Sequence, residues 1–166
     1  LVGFFLINEK PTSSKDPFAL RRAAIGLLRV VIENNLVIKL KDLISYAVRL
    51  YSDQGVKIEN NQAEKEILDF LKERMRNILK EKKIRPDIIE AAISSHVGDN
   101  FLDLYKKSLV INKNLNKDIG KDAVYSFKRA SSILDHESKK LTKELTGRPD
   151  VVLFRKNEEK FLFEKL

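Results

Sequence analysis

The sequence has 166 residues, a hydrophobic fraction of 43% and a formal net charge of +8. This length supports one hydrophobic core or two small ones, and the composition is that of a globular protein rather than a disordered one. Because there is no cysteine, disulfides and thiolate zinc sites are excluded. The basic charge favours polyanionic partners, although many soluble basic proteins bind no nucleic acid.

The chain opens with an apolar run, residues 1–7, which is too short to span a bilayer and lacks the charged start of a signal peptide. We expect it to end a buried helix whose beginning lies outside this sequence. A loop rich in proline, serine and threonine follows. Its last residues, Asp16 and Pro17, predict an N-cap followed by a proline at the first helical position.

A helix is predicted from Phe18 to about Asn34. Its predicted buried residues are Leu20, Ala24, Leu27 and Val31, and Phe18 is expected to help anchor it in the core. Lys15, Arg21 and Arg22 surround the free backbone donors at its beginning, a combination that suits phosphate. An ordinary capped helix with solvated basic residues explains the same pattern, and short motifs alone favour that explanation.

Helical periodicity continues along the rest of the chain. It predicts helices at about 40–51, 62–82, 85–93, 101–116, 118–136 and 156–166. The predicted buried residues include Leu43, Ile44, Ala47, Leu50 and Tyr51; Leu68, Leu71, Met75, Ile78 and Leu79; Phe101, Leu104, Tyr105, Ser108, Ile111 and Leu115; and Ala123, Phe127, Ala130 and Leu134.

Basic residues recur on two of these helices. The helix at 62–82 and the residue after it carry a basic row, Lys65, Lys72, Arg76, Lys80 and Lys83, beside an acidic line, Glu66, Asp69 and Glu73. Mixed surfaces of this kind most often belong to ordinary soluble helices, so Lys72, Arg76 and Lys80 are the weaker candidates for RNA contact. Lys128 and Arg129 lie away from the predicted buried side of their helix and are stronger candidates.

Three tyrosines, Tyr51, Tyr105 and Tyr125, could stack on unpaired bases, although core packing explains Tyr105 better. Catalytic and metal-binding patterns are not found in the sequence. The six glycines form neither a Walker nor a dinucleotide-binding pattern, and the two histidines are too few for a metal site. We therefore predict no catalytic residue, no metal and no cofactor for this chain.

Two blocks near the beginning, residues 1–5 (LVGFF) and 10–24 (KPTSSKDPFALRRAA), closely resemble the signature of the bacterial glycyl-tRNA synthetase beta subunit. Weaker blocks follow in the family's order at 70–74 (FLKER), 87–91 (DIIEA), 128–134 (KRASSIL) and 158–162 (EEKFL). Two departures stand out. The family usually has asparagine where Ser132 stands, and its chains are several times longer, which predicts that this sequence is a C-terminal piece.

The resemblance implies an all-α fold in two parts. Residues 1–58 are similar to the tail of an HD-like helical module, and residues 59–166 to a DALR-type anticodon-binding domain. The implied function is the tRNA-binding, non-catalytic part of a cytoplasmic glycine–tRNA ligase. Its implied partners are tRNA(Gly) and an alpha subunit that uses ATP, in a heterotetramer. Candidates for contact with the RNA or with that subunit are Lys15, Arg21, Arg22, Lys128 and Arg129.

Two other interpretations stay open. A basic helical module that docks an acidic protein has the same composition and the same amphipathic helices. A degenerate phosphohydrolase fragment is less favoured, because Asp135-His136 reverses the order of the HD motif and has no partner histidine nearby.

Overall fold

The computed structural model describes residues 1–96, 98–140 and 149–165. These residues form helices and one 3₁₀ turn and contain no strand, so the predicted all-α fold is confirmed. The helices are α1 (Val2–Leu6), α2 (Leu20–Glu33), α3 (Leu40–Asp53), α4 (Ala63–Glu81), α5 (Pro86–Ser95), α6 (Phe101–Asn114), α7 (Asp118–Lys140) and α8 (Asn157–Lys165), with a 3₁₀ turn at Val151–Leu153. None of the helices in the described ranges is long and apolar enough to cross a membrane.

Contacts between Cα atoms divide the chain into two compact units, a first unit of Leu1–Gly120 and a second unit of Lys121–Leu166. The boundary predicted between residues 58 and 59 falls inside the first unit, between α3 and α4. The assignment of an HD-like tail to 1–58 and an anticodon-binding-like domain to 59–166 stays a prediction.

The first unit is built around α4, which contacts α1, α2, α3, α5 and α6. Its residues Ile67, Leu71, Met75 and Leu79 are almost completely buried. A spacing of four residues keeps these side chains along one side of the helix, where the neighbouring helices cover them. Full burial of an aliphatic side chain of this size contributes about 1.5–3 kcal/mol, so this stripe is the centre of the core.

Helix α2 begins at Leu20 rather than at the predicted Phe18. Ala19 precedes it in the left-handed conformation, with φ 53°, and Pro17 lies in a turn rather than at the first helical position.

The buried residues of α2 are Leu20, Ala24, Leu28 and Val31. The prediction of Leu27 was wrong, since its side chain is 37% exposed whereas that of Leu28 is fully buried. Successive helical residues are separated by 100°, so only one of the two leucines can face α4 and α6.

Three further residues predicted to face inward are exposed: Leu43 and Leu50 on α3, and Ile111 on α6. Helix α3 contacts α1 and α4 along one face, where Leu40 and Ile44 are buried. An adjacent face of the helix carries Leu43 and Leu50, together with Tyr46, into solvent.

Two close contacts fix the ends of α1 and α3. A Cβ atom at Gly3 would lie 2.8 Å from Tyr51 Cζ, so the tyrosine ring packs there only because Gly3 has no side chain. At the beginning of α3, the backbone N–H of Lys41 donates to Asp99 Oδ2 at 2.8 Å. The Asp99 carboxylate thus caps a helix that is distant from it in sequence.

The second unit has no buried side chain among its described residues. The four residues predicted to be buried on α7, Ala123, Phe127, Ala130 and Leu134, are all exposed, so these predictions were wrong. A stripe with helical spacing is buried only where another element covers it, and no described residue of this unit does so. On α8, Phe163 contacts Phe154, with ring centroids 5.5 Å apart.

Candidate nucleic-acid interface

The loop before α2 uses its own aspartate to satisfy the helix start. Asp16 Oδ1 accepts the backbone N–H of Leu20 at 2.8 Å, and Oδ2 accepts that of Arg21 at 3.0 Å. The Asp16 side chain therefore caps the helix as predicted, but the N-cap position is Ala19 rather than Asp16. Since these two donors are occupied, a phosphate at this helix end would have to compete with the Asp16 carboxylate.

The three basic residues of this loop and helix differ in their surroundings. The Arg21 guanidinium donates to the carbonyl of Thr12 and lies 4.0 Å from the Asp16 carboxylate, so it holds the loop against the helix. The side chains of Lys15 and Arg22 are exposed and have no hydrogen bond or ion pair within the described ranges. These two cations remain available to an outside ligand.

Phe18, at the end of the loop, is 45% exposed but stacks on Phe4, with ring centroids 4.3 Å apart. The predicted role of Phe18 as a core residue is therefore wrong. Its ring instead joins the loop to α1, which positions Lys15 and Arg22 on a supported surface.

The basic row of α4 does not act as one surface. Arg76 Nε donates to Glu90 Oε1 at 2.8 Å, and its guanidinium also pairs with Glu73. These carboxylates raise the pKa of Arg76, and the guanidinium lowers the pKa of Glu90. Arg76 thus joins α4 to α5, and two acids neutralise its charge. Lys80, the next basic residue of the row, is exposed.

Lys72 contributes to a different feature, a cleft of about 640 Å³ near the beginnings of α3 and α4. Lys41 and Lys65 line the same cleft, and we call it the lysine cleft after these three residues. The sequence pattern indicates Lys65 only as part of the basic row of α4 and does not indicate Lys41 at all. Lys41 lies on another helix, and only the packing of α3 against α4 brings it close, so no local pattern could reveal it.

The two histidines do not form a metal site. Burial lowers the pKa of His96, and the positive charge of Lys72 lowers it further, so this imidazole is neutral at pH 7. His136 is exposed and lies 3.2 Å from Glu137. Among the residues that the structure describes, no group of three or more histidines and acids could hold a metal ion.

Lys128 and Arg129 are exposed on α7, and neither has a hydrogen bond or ion pair in the part of the second unit that is described. Tyr125, on the same helix, is 67% exposed. In the first unit, Tyr51 packs on Gly3 and Tyr105 packs against the core. Of the three tyrosines, Tyr125 therefore has the ring most open to a stacking base.

These features define the class of protein, a basic all-α chain whose candidate functional groups are unpaired cations. A family model described as the glycyl-tRNA synthetase beta subunit matches residues 1–94. The chain belongs to this family, as the resemblance predicted.

Relatives extend the match along the chain. The glycine–tRNA ligase beta subunit of Rickettsia canadensis (strain McKiel) is 37% identical over 163 residues, which are 98% of this chain and 22% of the relative. That of Cereibacter sphaeroides (strain ATCC 17029 / ATH 2.4.9) is 34% identical over 166 residues, 100% of this chain and 24% of the relative. That of Clostridioides difficile (strain 630) is 33% identical over 146 residues, 87% of this chain and 21% of the relative. The chain thus spans about a fifth to a quarter of the length of these relatives.

Proposed function

We propose that this chain is a tRNA-binding, non-catalytic part of a glycine–tRNA ligase beta subunit. In this role it supports the ATP-dependent attachment of glycine to tRNA(Gly) by an alpha subunit in the cytoplasm. Family membership supports the ligase assignment, and the relatives carry the name glycine–tRNA ligase beta subunit.

The observation that carries the RNA-binding proposal is the set of exposed basic side chains without an internal partner. Lys15 and Arg22 belong to this set in the first unit, as do Lys128 and Arg129 in the second. A cation already held by a carboxylate, as Arg76 is, has less to gain from phosphate than a free one. RNA phosphates would supply the negative charge that these four side chains lack, and they would release counterions on binding.

A second surface favours a protein partner. Leu43, Tyr46 and Leu50 lie on one side of α3 at spacings of three and four residues, and each is more than 40% exposed. Under the main proposal this face contacts the alpha subunit. It is also the observation that favours the alternative function, a protein-interaction module without an RNA role.

A titration of the purified chain with labelled tRNA(Gly) transcript at several salt concentrations tests the proposal. We expect binding at low salt, with an affinity that falls steeply as salt rises. A polyglutamate peptide of matched charge is the control for non-specific attraction to acidic polymers. Binding of the peptide without binding of tRNA would overturn the proposal in favour of the protein-interaction module.

A pyrophosphate-exchange assay tests whether the chain is non-catalytic. We expect the purified chain to catalyse no glycine-dependent exchange of pyrophosphate into ATP, since it presents no phosphate loop or paired catalytic acid and base. Exchange activity that survives further purification would contradict this expectation.

A further inference from the structure

Among the described residues, four arginines and two lysines of the first unit are paired with carboxylates of the same unit. Lys10 pairs with Glu66 at 2.8 Å, Arg29 with Glu81 at 3.1 Å, and Arg85 with Asp87 at 2.7 Å, for example. Most other lysines of the unit are unpaired within the described ranges, and the lysine cleft stands out because three of them line one cavity. None of its ammonium groups has a hydrogen bond or ion pair with a described residue, although all three line one cavity.

Two acids also line the lysine cleft, Glu64 and Asp99, which leaves a formal charge of 3 − 2 = +1. One Asp99 oxygen already accepts the backbone N–H of Lys41, so this carboxylate is committed to capping α3. Asp99 keeps its negative charge while it caps α3, so three ammonium groups share the cleft with two carboxylates and one positive charge is left in excess. Like charges gathered without matching counter-charges favour an anionic ligand.

The remaining lining suits a phosphodiester rather than a bare ion. Asn61 and Gln62 contribute side-chain amides, which can donate to phosphate oxygens or accept from a ribose hydroxyl. Leu6, Val48 and Leu68 contribute apolar surface, where a neighbouring sugar can pack. A volume of about 640 Å³ is within the range of small-molecule sites and can hold a nucleotide-sized group.

We propose that the lysine cleft binds phosphodiester groups of an RNA backbone through Lys41, Lys65 and Lys72. This inference rests on the proposed tRNA-binding function and adds a place in the first unit where the RNA is held. Side-chain ammonium groups contact phosphate without reading bases, so the cleft positions the RNA and does not select its sequence.

A pair of matched variants tests the inference. The cleft variant carries Lys41→Gln, Lys65→Gln and Lys72→Gln. The control variant carries Lys82→Gln, Lys106→Gln and Lys113→Gln, which removes the same charge from exposed lysines of the first unit that have no described side-chain partner. Both are titrated with tRNA(Gly) transcript over a salt series, beside the unaltered chain.

We expect the cleft variant to lose about tenfold or more in affinity at low salt and to show a salt slope lower by about two to three. The control variant should stay within about threefold of the unaltered chain. Equal losses in the two variants would overturn the inference while leaving tRNA binding in place. Failure of the unaltered chain to bind tRNA would instead remove the proposed function itself.

A second measurement avoids any dependence on the folding of the variants. Lysines of the unaltered chain are acetylated with and without tRNA, and the modified sites are mapped by mass spectrometry. We expect tRNA to protect Lys41, Lys65 and Lys72 but not Lys106. Equal protection of all four would overturn the inference.

A titration with AMP distinguishes an RNA backbone from a free mononucleotide as the source of the bound phosphate. If the cleft variant loses AMP binding but keeps its tRNA binding, the cleft binds a mononucleotide and the RNA assignment is overturned.

Discussion

In the first unit, α4 buries six of its 19 residues, whereas α7, with 23 residues, buries none. Both helices have apolar residues at helical spacing, and both were predicted to have a buried face. The difference is that five helices surround α4, while no described residue of the second unit covers α7. The spacing of apolar residues therefore predicts that a segment is helical and which side is apolar. That side is buried only where a second element packs against it.

The largest expected effect on the free energy of unfolding comes from comparing one phenylalanine of each unit. Phe101 is 1% exposed and Phe127 is 73% exposed. We expect Phe101→Ala to lower the free energy of unfolding by about 3–5 kcal/mol, since it leaves a cavity in the core. Phe127→Ala should change it by about 0.5 kcal/mol or less. Urea unfolding followed by circular dichroism measures both, and equal losses would show that α7 is covered as well as α4.

A second comparison concerns the neighbouring leucines of α2. Leu28→Ala should cost about 2–5 kcal/mol of unfolding free energy, because its side chain is completely buried. Leu27→Ala serves as the matched control and should cost about 1 kcal/mol, since over a third of that side chain already meets water. Thermal melts of the two variants check the order, and a larger loss for Leu27→Ala would mean that α2 packs with a different face.

A smaller effect depends on pH. The hydrogen bond from Lys10, with a second from Asn60, lowers the pKa of Glu66 in the folded chain. A carboxyl with a lowered folded pKa stabilises the fold above its unfolded pKa of about 4.3, and this stabilisation is lost as the pH falls through the folded pKa. Glu66→Gln should therefore melt lower than the unaltered chain at pH 7, and the difference should narrow below about pH 4.

The control for the pH series is Glu59→Gln, because the Glu59 side chain is exposed and has no partner within the described ranges. It should leave the melting temperature of the chain nearly unchanged at both ends of the series. A difference for Glu66→Gln that stays constant from pH 7 to pH 3 would mean that the ion pair with Lys10 adds no stability.

The smallest expected effect on stability comes from Arg22. Arg22→Ala should change the unfolding free energy by about 0.5 kcal/mol or less, because the side chain is exposed and unpaired in the described chain. It should weaken tRNA binding through the lost phosphate contact. Arg21→Ala is the matched control and should lower stability more, since it removes the contacts with Thr12 and Asp16. A large drop in melting temperature for Arg22→Ala, with unchanged tRNA binding, would make Arg22 a structural residue.

The sequence contained enough to predict the helices but not their contacts. The helix predicted at 62–82 is observed as Ala63–Glu81, because its period and length are local properties. Leu27 and Leu28 fit the same amphipathic pattern, and only the positions of α4 and α6 decide between them. This information is not present in any short window of sequence.

The surroundings of the candidate site residues were also not predictable from a short window of sequence. Arg21 and Arg22 are identical residues in adjacent positions, yet a rotation of about 100° along the helix gives one to Asp16 and the other to solvent. Lys72 was predicted as a weak candidate on α4. Its neighbours in the lysine cleft depend on long-range packing, and they became visible only in the fold.

The cap of α3 has a consequence for synthesis on the ribosome. The Asp99 carboxylate that caps this helix comes 58 residues after the N–H group it accepts. At elongation rates of about 5–20 residues per second, the ribosome adds Asp99 about 3–12 s after Lys41. Through this interval the backbone N–H of Lys41 lacks its carboxylate acceptor and is left to water, and the helix end is completed only when Asp99 arrives.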